Sequence, residues 1–344
     1  MIIATSYVIG ILCCIVCCIC WGSWGNAQKL VAQRNWSFEL FYMDFTIGLV
    51  ITALLGAFTL GSLGHQGPTF LANMGTLDSY SVTYALLGGI VWNFGTIFLT
   101  AAMAVAGMSV GFPIGGGLGW IGGIFYTYIL TVADGNKYPG NEKLLWLGVV
   151  IIVIAILLNA RAYGKLSSGQ HKTPVKGIVC ALISGIAIIF FFGLVAKSIN
   201  PIYGGAPAVG GVSGHLTPYT AVFLFSIGAL VTTPIFNTLL MYFPLQGNKV
   251  SFRDYFKGNL YTHIIGILGG FIWMAGMVIS FSRGTAGNNA IAYALSNAAP
   301  VVAMIWGVFV WKEFKGASKE TKGLVWATLI LFVVGLISIT LSSE

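Results

Sequence analysis

Gly88, Gly89, Trp92 and Gly95 recur as Gly269, Gly270, Trp273 and Gly276, each 181 residues further along the chain. Phe45-Thr46-Ile47-Gly48 returns as Phe225-Ser226-Ile227-Gly228 at a spacing of 180. Both copies lie inside long apolar runs. A chain assembled twice over from such runs predicts two structural repeats, an architecture common among transporters. Ten runs are read, near 6–27, 38–60, 82–104, 108–132, 143–161, 175–197, 218–241, 260–281, 287–311 and 322–341. Each holds about 20 residues, enough to cross a hydrocarbon core of about 30 Å as a helix. Barrel strands would be shorter and would alternate, and an open sheet leaves backbone groups unpaired in lipid. The expected class is an all-α membrane protein of ten transmembrane helices.

Only 8% of the 344 residues are charged and 57% are hydrophobic. Soluble domains carry about 25% charged residues, so the solvent of this surface is lipid. The net charge of +8 does not point to nucleic acid, because the basic residues fall between the runs. Connections after odd-numbered runs carry 13 of the 17: Lys29, Arg34, Arg161, Lys165, Lys172, Lys176, Lys249, Arg253, Lys257, Lys312, Lys315, Lys319 and Lys322. The other side has Lys137, Lys143, Lys197 and Arg283. This bias places the first set in the cytoplasm and both termini outside. Val8 to Trp21 is read as a retained helix, not a removed signal. The polar stretch 163–174 divides the chain into 1–162 and 175–344, five runs each. An odd number of spans per half inverts one half relative to the other.

Asp44 stands out as an acid within the second run. A carboxylate in a membrane is costly unless it is protonated, paired or wetted. That suits reversible proton binding, and equally a structural anchor one or two turns inside the span. Asn93, Asn289 and Asn297 accompany Trp92, Trp273, Tyr126 and Tyr293 in spans. Amides there bond a neighbouring helix or face a wet cavity. Indole faces stack a flat ring and amides bond its edge. The candidate solute site is therefore Trp24, Trp92, Asn93, Trp273, Asn289 and Asn297, for a small neutral polar molecule. Pro113 in the fourth run and Pro300 in the ninth interrupt corresponding spans, a pointer to a central site. Gly117 to Gly122 fits GxGxxG, but inside an apolar run it is no dinucleotide loop. Cys13, Cys14, Cys17, Cys18 and Cys20 are read as packing, since no His or acid accompanies them. No metal or cofactor is expected.

At these residues the chain resembles the drug/metabolite transporter superfamily, and within it the ureide permease family. The resembling pieces are Gly22-x-Trp24, Tyr42-Met43-Asp44-Phe45, Gly88-Gly89-Ile90-Val91 and Gly107-Met108-Ser109-Val110, then Tyr219-Thr220-Ala221, Phe225-Ser226-Ile227, Ser251-Phe252-x-x-Tyr255, Pro300, Trp306-Gly307 and Glu313. The resemblance implies the drug/metabolite transporter fold of two inverted five-helix repeats. It also implies proton-coupled uptake of ureides or nucleobase products such as allantoin or uracil. Asp44 falls on an acid of that pattern, whereas Asn297 stands where Gln is expected and Ala294 where Asp is expected. The central loop is shorter than in plant members, which implies a bacterial relative and the inner, or cell, membrane. The rival reading is a sugar permease of the same superfamily, for rhamnose or for glucose and ribose. A passive facilitator and a membrane enzyme are the remaining classes; HExxH and paired intramembrane acids are absent from the sequence.

Overall fold

The computed structural model describes residues 1–4, 6–133, 140–167, 175–208, 211–284, 295–296 and 298–342. These residues form helices and turns with one isolated bridge, between Ile199 and Leu216. In chain order the helices are α1 (Tyr7–Ser23), α2 (Gly25–Ala32), α3 (Phe38–Phe58), α4 (Leu60–Leu63), α5 (Phe70–Met74), α6 (Ser79–Ala106), α7 (Met108–Ala133), α8 (Glu142–Ser167), α9 (Val175–Ser198), α10 (Pro218–Tyr242), α11 (Phe252–Tyr255), α12 (Leu260–Ser282), α13 (Ala299–Ile305) and α14 (Lys319–Leu341). Among the described residues, nine helical stretches are long and apolar enough to cross a membrane. The first is α1 and α2 taken together, Tyr7–Ala32. The ninth predicted run is described only from its middle onward, where α13 and a π-helical turn, Trp306–Val310, make a shorter apolar helix. Beyond the predicted end of the first half, α8 continues to Ser167, and Lys165 in its last turn pairs with Glu320 of α14.

Helix starts are set by side-chain caps at the membrane faces. Asp78 accepts from the Ser81 amide to open α6 at 2.8 Å, and Asn259 accepts from Thr262 to open α12 at 2.9 Å. These two caps are themselves 181 residues apart. Each supplies an acceptor to a first-turn N–H that has no partner within the helix. The large apolar side chains facing outward, such as Leu12, Leu55, Leu157 and Val231, are exposed. Polar side chains such as Asn93, Thr96, Ser184 and Asn237 are buried. This inside-out distribution is what a lipid solvent selects.

Lipid is as apolar as leucine, so helix contacts here depend on close approach rather than on hydrophobic exclusion. A Cβ on Gly270 would overlap the Phe45 carbonyl, and one on Gly89 would overlap the Phe225 carbonyl. A Cβ on Gly48 would strike Ile267, and one on Gly228 would strike Leu86. These are repeat-equivalent positions, so the α3/α12 crossing and the α10/α6 crossing are one design built twice. The wider packing follows the same exchange. Trading α1, α3, α6, α7 and α8 for α9, α10, α12, α13 and α14 turns α1/α12 into α9/α6 and α1/α13 into α9/α7, both of which pack. The pairs α3/α10, α7/α13 and α8/α14 map onto themselves.

Candidate functional site

Where the two sets of helices meet, five tryptophans line one cavity: Trp21 and Trp24 at the end of α1, Trp92 on α6, Trp120 on α7 and Trp273 on α12. About 50 Å³ of it is open to the centres of water-sized molecules, space for a few waters. The small residues Gly22 and Gly25 flank Trp24, where α1 gives way to α2 through one tightened turn. The aromatic wall repeats the internal symmetry of the sequence. Phe45 stacks on Trp92 at 6.2 Å between centroids, and its equivalent Phe225 stacks on Trp273 at 5.9 Å. Trp92 and Trp273 then meet each other at 4.0 Å. Trp21 lies flat on Trp273, with 11° between planes, and donates its Nε1–H to the Trp273 carbonyl at 3.1 Å.

Three residues of the cavity wall each carry a buried polar atom with no hydrogen-bond partner among the described residues: Trp24 Nε1, Trp120 Nε1 and Thr96 Oγ1. All three residues are buried, at 0%, 1% and 1% exposure. An indole nitrogen only donates, and a hydroxyl donates or accepts. Leaving a buried donor unmet costs about 1–3 kcal/mol. The site offers flat apolar faces, and unmet polar atoms are buried in its wall. No ionised side chain lines it among the described residues.

Three of the six expected solute residues, Trp24, Trp92 and Trp273, come together at this cavity. Asn93 does not line it. Its Oδ1 accepts from Tyr42 of α3 at 2.8 Å and from Thr233 of α10 at 3.3 Å, and its Nδ2 donates to Thr232 at 2.9 Å. Asn93 is an interhelical brace directly behind the tryptophan wall. Asn289 and Asn297 lie outside the described residues, as do Tyr293 and Ala294. The solute set read from the sequence did not include Trp21, Thr96 or Trp120. Trp21 and Trp24 are three residues apart, which places them near one helix face. Trp120 lies in the glycine-rich fourth run, where the sequence pointed to the span and not to this residue.

A clasp lies on the side of the bundle where the basic loops gather. The chain turns at Gly107, whose φ of +87° favours glycine, and α7 begins with its free amides facing Glu313. The Met108 amide donates to Oε1 at 2.9 Å and the Ser109 amide to Oε2 at 2.8 Å. The Ser109 hydroxyl and the Lys29 ammonium complete the shell. Burial alone would raise the Glu313 carboxyl; the Lys29 charge and the bonds from Lys29 and Ser109 outweigh it and hold the group below its ordinary value. Beside it, Trp311 donates to Asn26 at 2.6 Å and Trp306 to Ser23 at 2.9 Å. The segment after α13 is thus tied to α1, α2 and the start of α7.

Asp44 is 1% exposed and faces away from the tryptophan cavity, toward α12. His263 Nδ1 lies 2.9 and 3.0 Å from its two oxygens, and the Tyr255 hydroxyl donates to Oδ1 at 2.5 Å. Burial, and then the Asp44 carboxylate, push the Tyr255 phenol above its ordinary value. Gly266 leaves the space that the Asp44 side chain occupies. His263 and Tyr255 follow Asp44 by 219 and 211 residues; Tyr255 entered the sequence reading only as part of a resembling piece, and His263 was not singled out. The next residue, Phe45, packs 4.8 Å from Trp24, which links this cluster to the cavity wall. Glu39, a turn earlier, is also buried and was not singled out in the sequence.

A sequence model of the ureide permease family matches residues 41–173 and 165–343. Ureide permease 1 of Arabidopsis thaliana is 25% identical, over 97% of this chain and 96% of its own length. Ureide permease 2 of the same plant is 26% identical over 94% of both. A putative sugar uptake protein of Lactococcus lactis is 24% identical over 95% of this chain and 96% of its own. One crystal structure of a protein shares the fold, with a TM-score of 0.56 and 16% identity over 98% of both chains.

Proposed function

This chain belongs to the ureide permease family, and we propose that it imports a small neutral polar solute of the ureide or nucleobase type, such as allantoin or uracil, across the cell membrane by proton-coupled alternating access. The carrying observation is the cavity between the two helix sets, with its indole faces and three wall residues whose buried polar atoms are unmet. Flat faces stack a planar ring, and donors meet its carbonyl oxygens. The surrounding scaffold is ten spans in two inverted five-helix halves, 1–162 and 175–344, joined through 163–174. The exchange of packing partners between the halves supports it, as does the odd number of spans in each.

At about 50 Å³ the cavity is too small for a substituted ring, which needs it to expand. The Glu313 clasp is the gate on the cytoplasmic side, since it joins both halves among the basic loops. Trp24, Trp92 and Trp273 hold the ring, with Asn289 and Asn297 as further polar contacts and Asn93 bracing the wall. Protons couple at the Asp44 cluster. The sugar reading is kept as a second because of the Lactococcus lactis relative. A thermal-shift panel on purified protein separates the two. Allantoin or uracil raises the melting temperature and rhamnose and ribose do not; stabilisation by the sugars alone overturns the ureide reading.

A further inference from the structure

The Asp44 carboxylate is closed to solvent, whereas the ring that pairs with it is not. Held as an anion, the Asp44 carboxylate only accepts hydrogen bonds, and the Tyr255 hydroxyl and the His263 Nδ1–H are then its two donors. Those two groups and Gly266 cover Asp44, which is 1% exposed. The His263 side chain keeps 24% of its exposure. Its other nitrogen, Nε2, lies by Gly258 and Trp36 and has no hydrogen-bond partner among the described residues. With Nδ1 committed as donor, Nε2 carries the free lone pair.

We infer that the coupling proton binds at His263 Nε2, with Asp44 as its buried counter-ion and Tyr255 as the donor that fixes the carboxylate. This rests on the proton-coupled reading and moves the proton from the acid to the imidazole. The step is balanced: one proton from water adds to Nε2, the ring becomes a cation, and the Asp44 anion faces it through Nδ1–H. Deprotonation at Nε2 restores the neutral ring and leaves Asp44 charged throughout. The neighbouring charges are already engaged or lie on the surface. Asp254 is held at about 2 by the Lys257 side-chain bond and by Ser251. Arg34 covers the Tyr261 ring, Arg253 is exposed, and Lys29 is held by Glu313. Glu39 lies a turn away on α3, with its Oε1 buried and unpartnered. The cluster reaches the transport site through Phe45, the residue after Asp44, which touches the Trp24 and Trp92 rings. A change of charge at His263 therefore acts on the helix that carries part of the cavity wall.

The test is His263→Gln in proteoliposomes with labelled uracil or allantoin, read as accumulation driven by an imposed proton gradient and as gradient-free counterflow. Glutamine can still donate to Asp44 but does not exchange a proton near neutral pH. The variant keeps counterflow and loses at least tenfold in gradient-driven accumulation. Accumulation like that of the wild type overturns the inference alone; a wild type that ignores the gradient overturns the coupled reading and this inference with it. Protein with His65, His171 and His215 replaced by Gln, labelled with ¹⁵N-histidine, decides the matter if His263→Gln does not fold. Its Nε2 gains a proton over the pH range in which uptake changes, and a ring that stays neutral across that range overturns the assignment.

Discussion

Replacing Glu313 by Gln tests whether the clasp is the weak point of the closed state. The carboxylate accepts from two α7 amides and the Ser109 hydroxyl, and it pairs with Lys29. A carboxamide keeps one accepting oxygen, loses the other and loses the charge. A hydrogen bond to a charged group contributes about 1.5–3 kcal/mol, and the helix start adds its own preference for an anion. The Lys29 pair adds a smaller amount, because the Lys29 side chain is 28% exposed and its charge is partly screened. The net loss is about 2–3 kcal/mol. At about 1.4 kcal/mol per tenfold, the clasp opens about 30 to 150 times more often. Hydrogen exchange read by mass spectrometry at the Met108 and Ser109 amides reports this directly. Exchange there rises by that factor while the α8/α14 interface is unchanged. The pH dependence has a definite sign. Glu313 titrates below its ordinary value in the folded protein, so its stabilisation is present above about pH 4.3 and fades as pH falls through the lower folded value. Once intrinsic exchange is subtracted, the wild type loosens in acid and Glu313→Gln does not. Unchanged exchange at these two amides, or an equal rise throughout the bundle, would refute the gate assignment.

Trp24→Phe and Trp120→Phe keep a ring and remove one donor each; solute affinity by fluorescence titration weakens about 2- to 10-fold per change, about 0.5–1.5 kcal/mol, and unchanged affinity in both rules out carbonyl recognition by these indoles. Gly270→Ala and Gly89→Ala push a methyl into the Phe45 and Phe225 carbonyls and each lowers stability in detergent by about 1–3 kcal/mol. Gly323→Ala, with nothing within 4 Å, is the neutral control; equal behaviour of all three contradicts the close crossings. Asn93→Ala removes bonds to Tyr42, Thr232 and Thr233 and lowers stability by about 1–2 kcal/mol with solute affinity retained. A selective loss of affinity there would return Asn93 to the cavity.

The membrane spans were readable because lipid imposes an apolar length that few other folds need, and the repeat because Gly48, Gly89, Gly228 and Gly270 sit where backbones touch. Lys165 was read as linker, yet it pairs with Glu320 of α14 and α8 continues past it; that contact is between distant segments. The same limit explains the sites. Asp44 was visible as a misplaced charge, but its partners His263 and Tyr255 lie more than 200 residues away. Glu313 entered only as part of the family resemblance, and only the fold aims the α7 amides at it. Trp24, Trp92 and Trp273 were legible because large indoles beside small residues in spans have few other places to go. Asn93 was legible as a buried amide, while the direction of its side chain was not.

The most direct measurement is uptake of labelled allantoin or uracil into proteoliposomes by the wild type and by Trp24→Ala/Trp92→Ala/Trp273→Ala. A solute held at the tryptophan cavity gives saturable wild-type uptake and a loss of at least tenfold in kcat/KM in the variant, with the variant still folded by circular dichroism. Uptake by the variant with an unchanged KM and rate would place the site elsewhere and contradict the transport reading of the cavity.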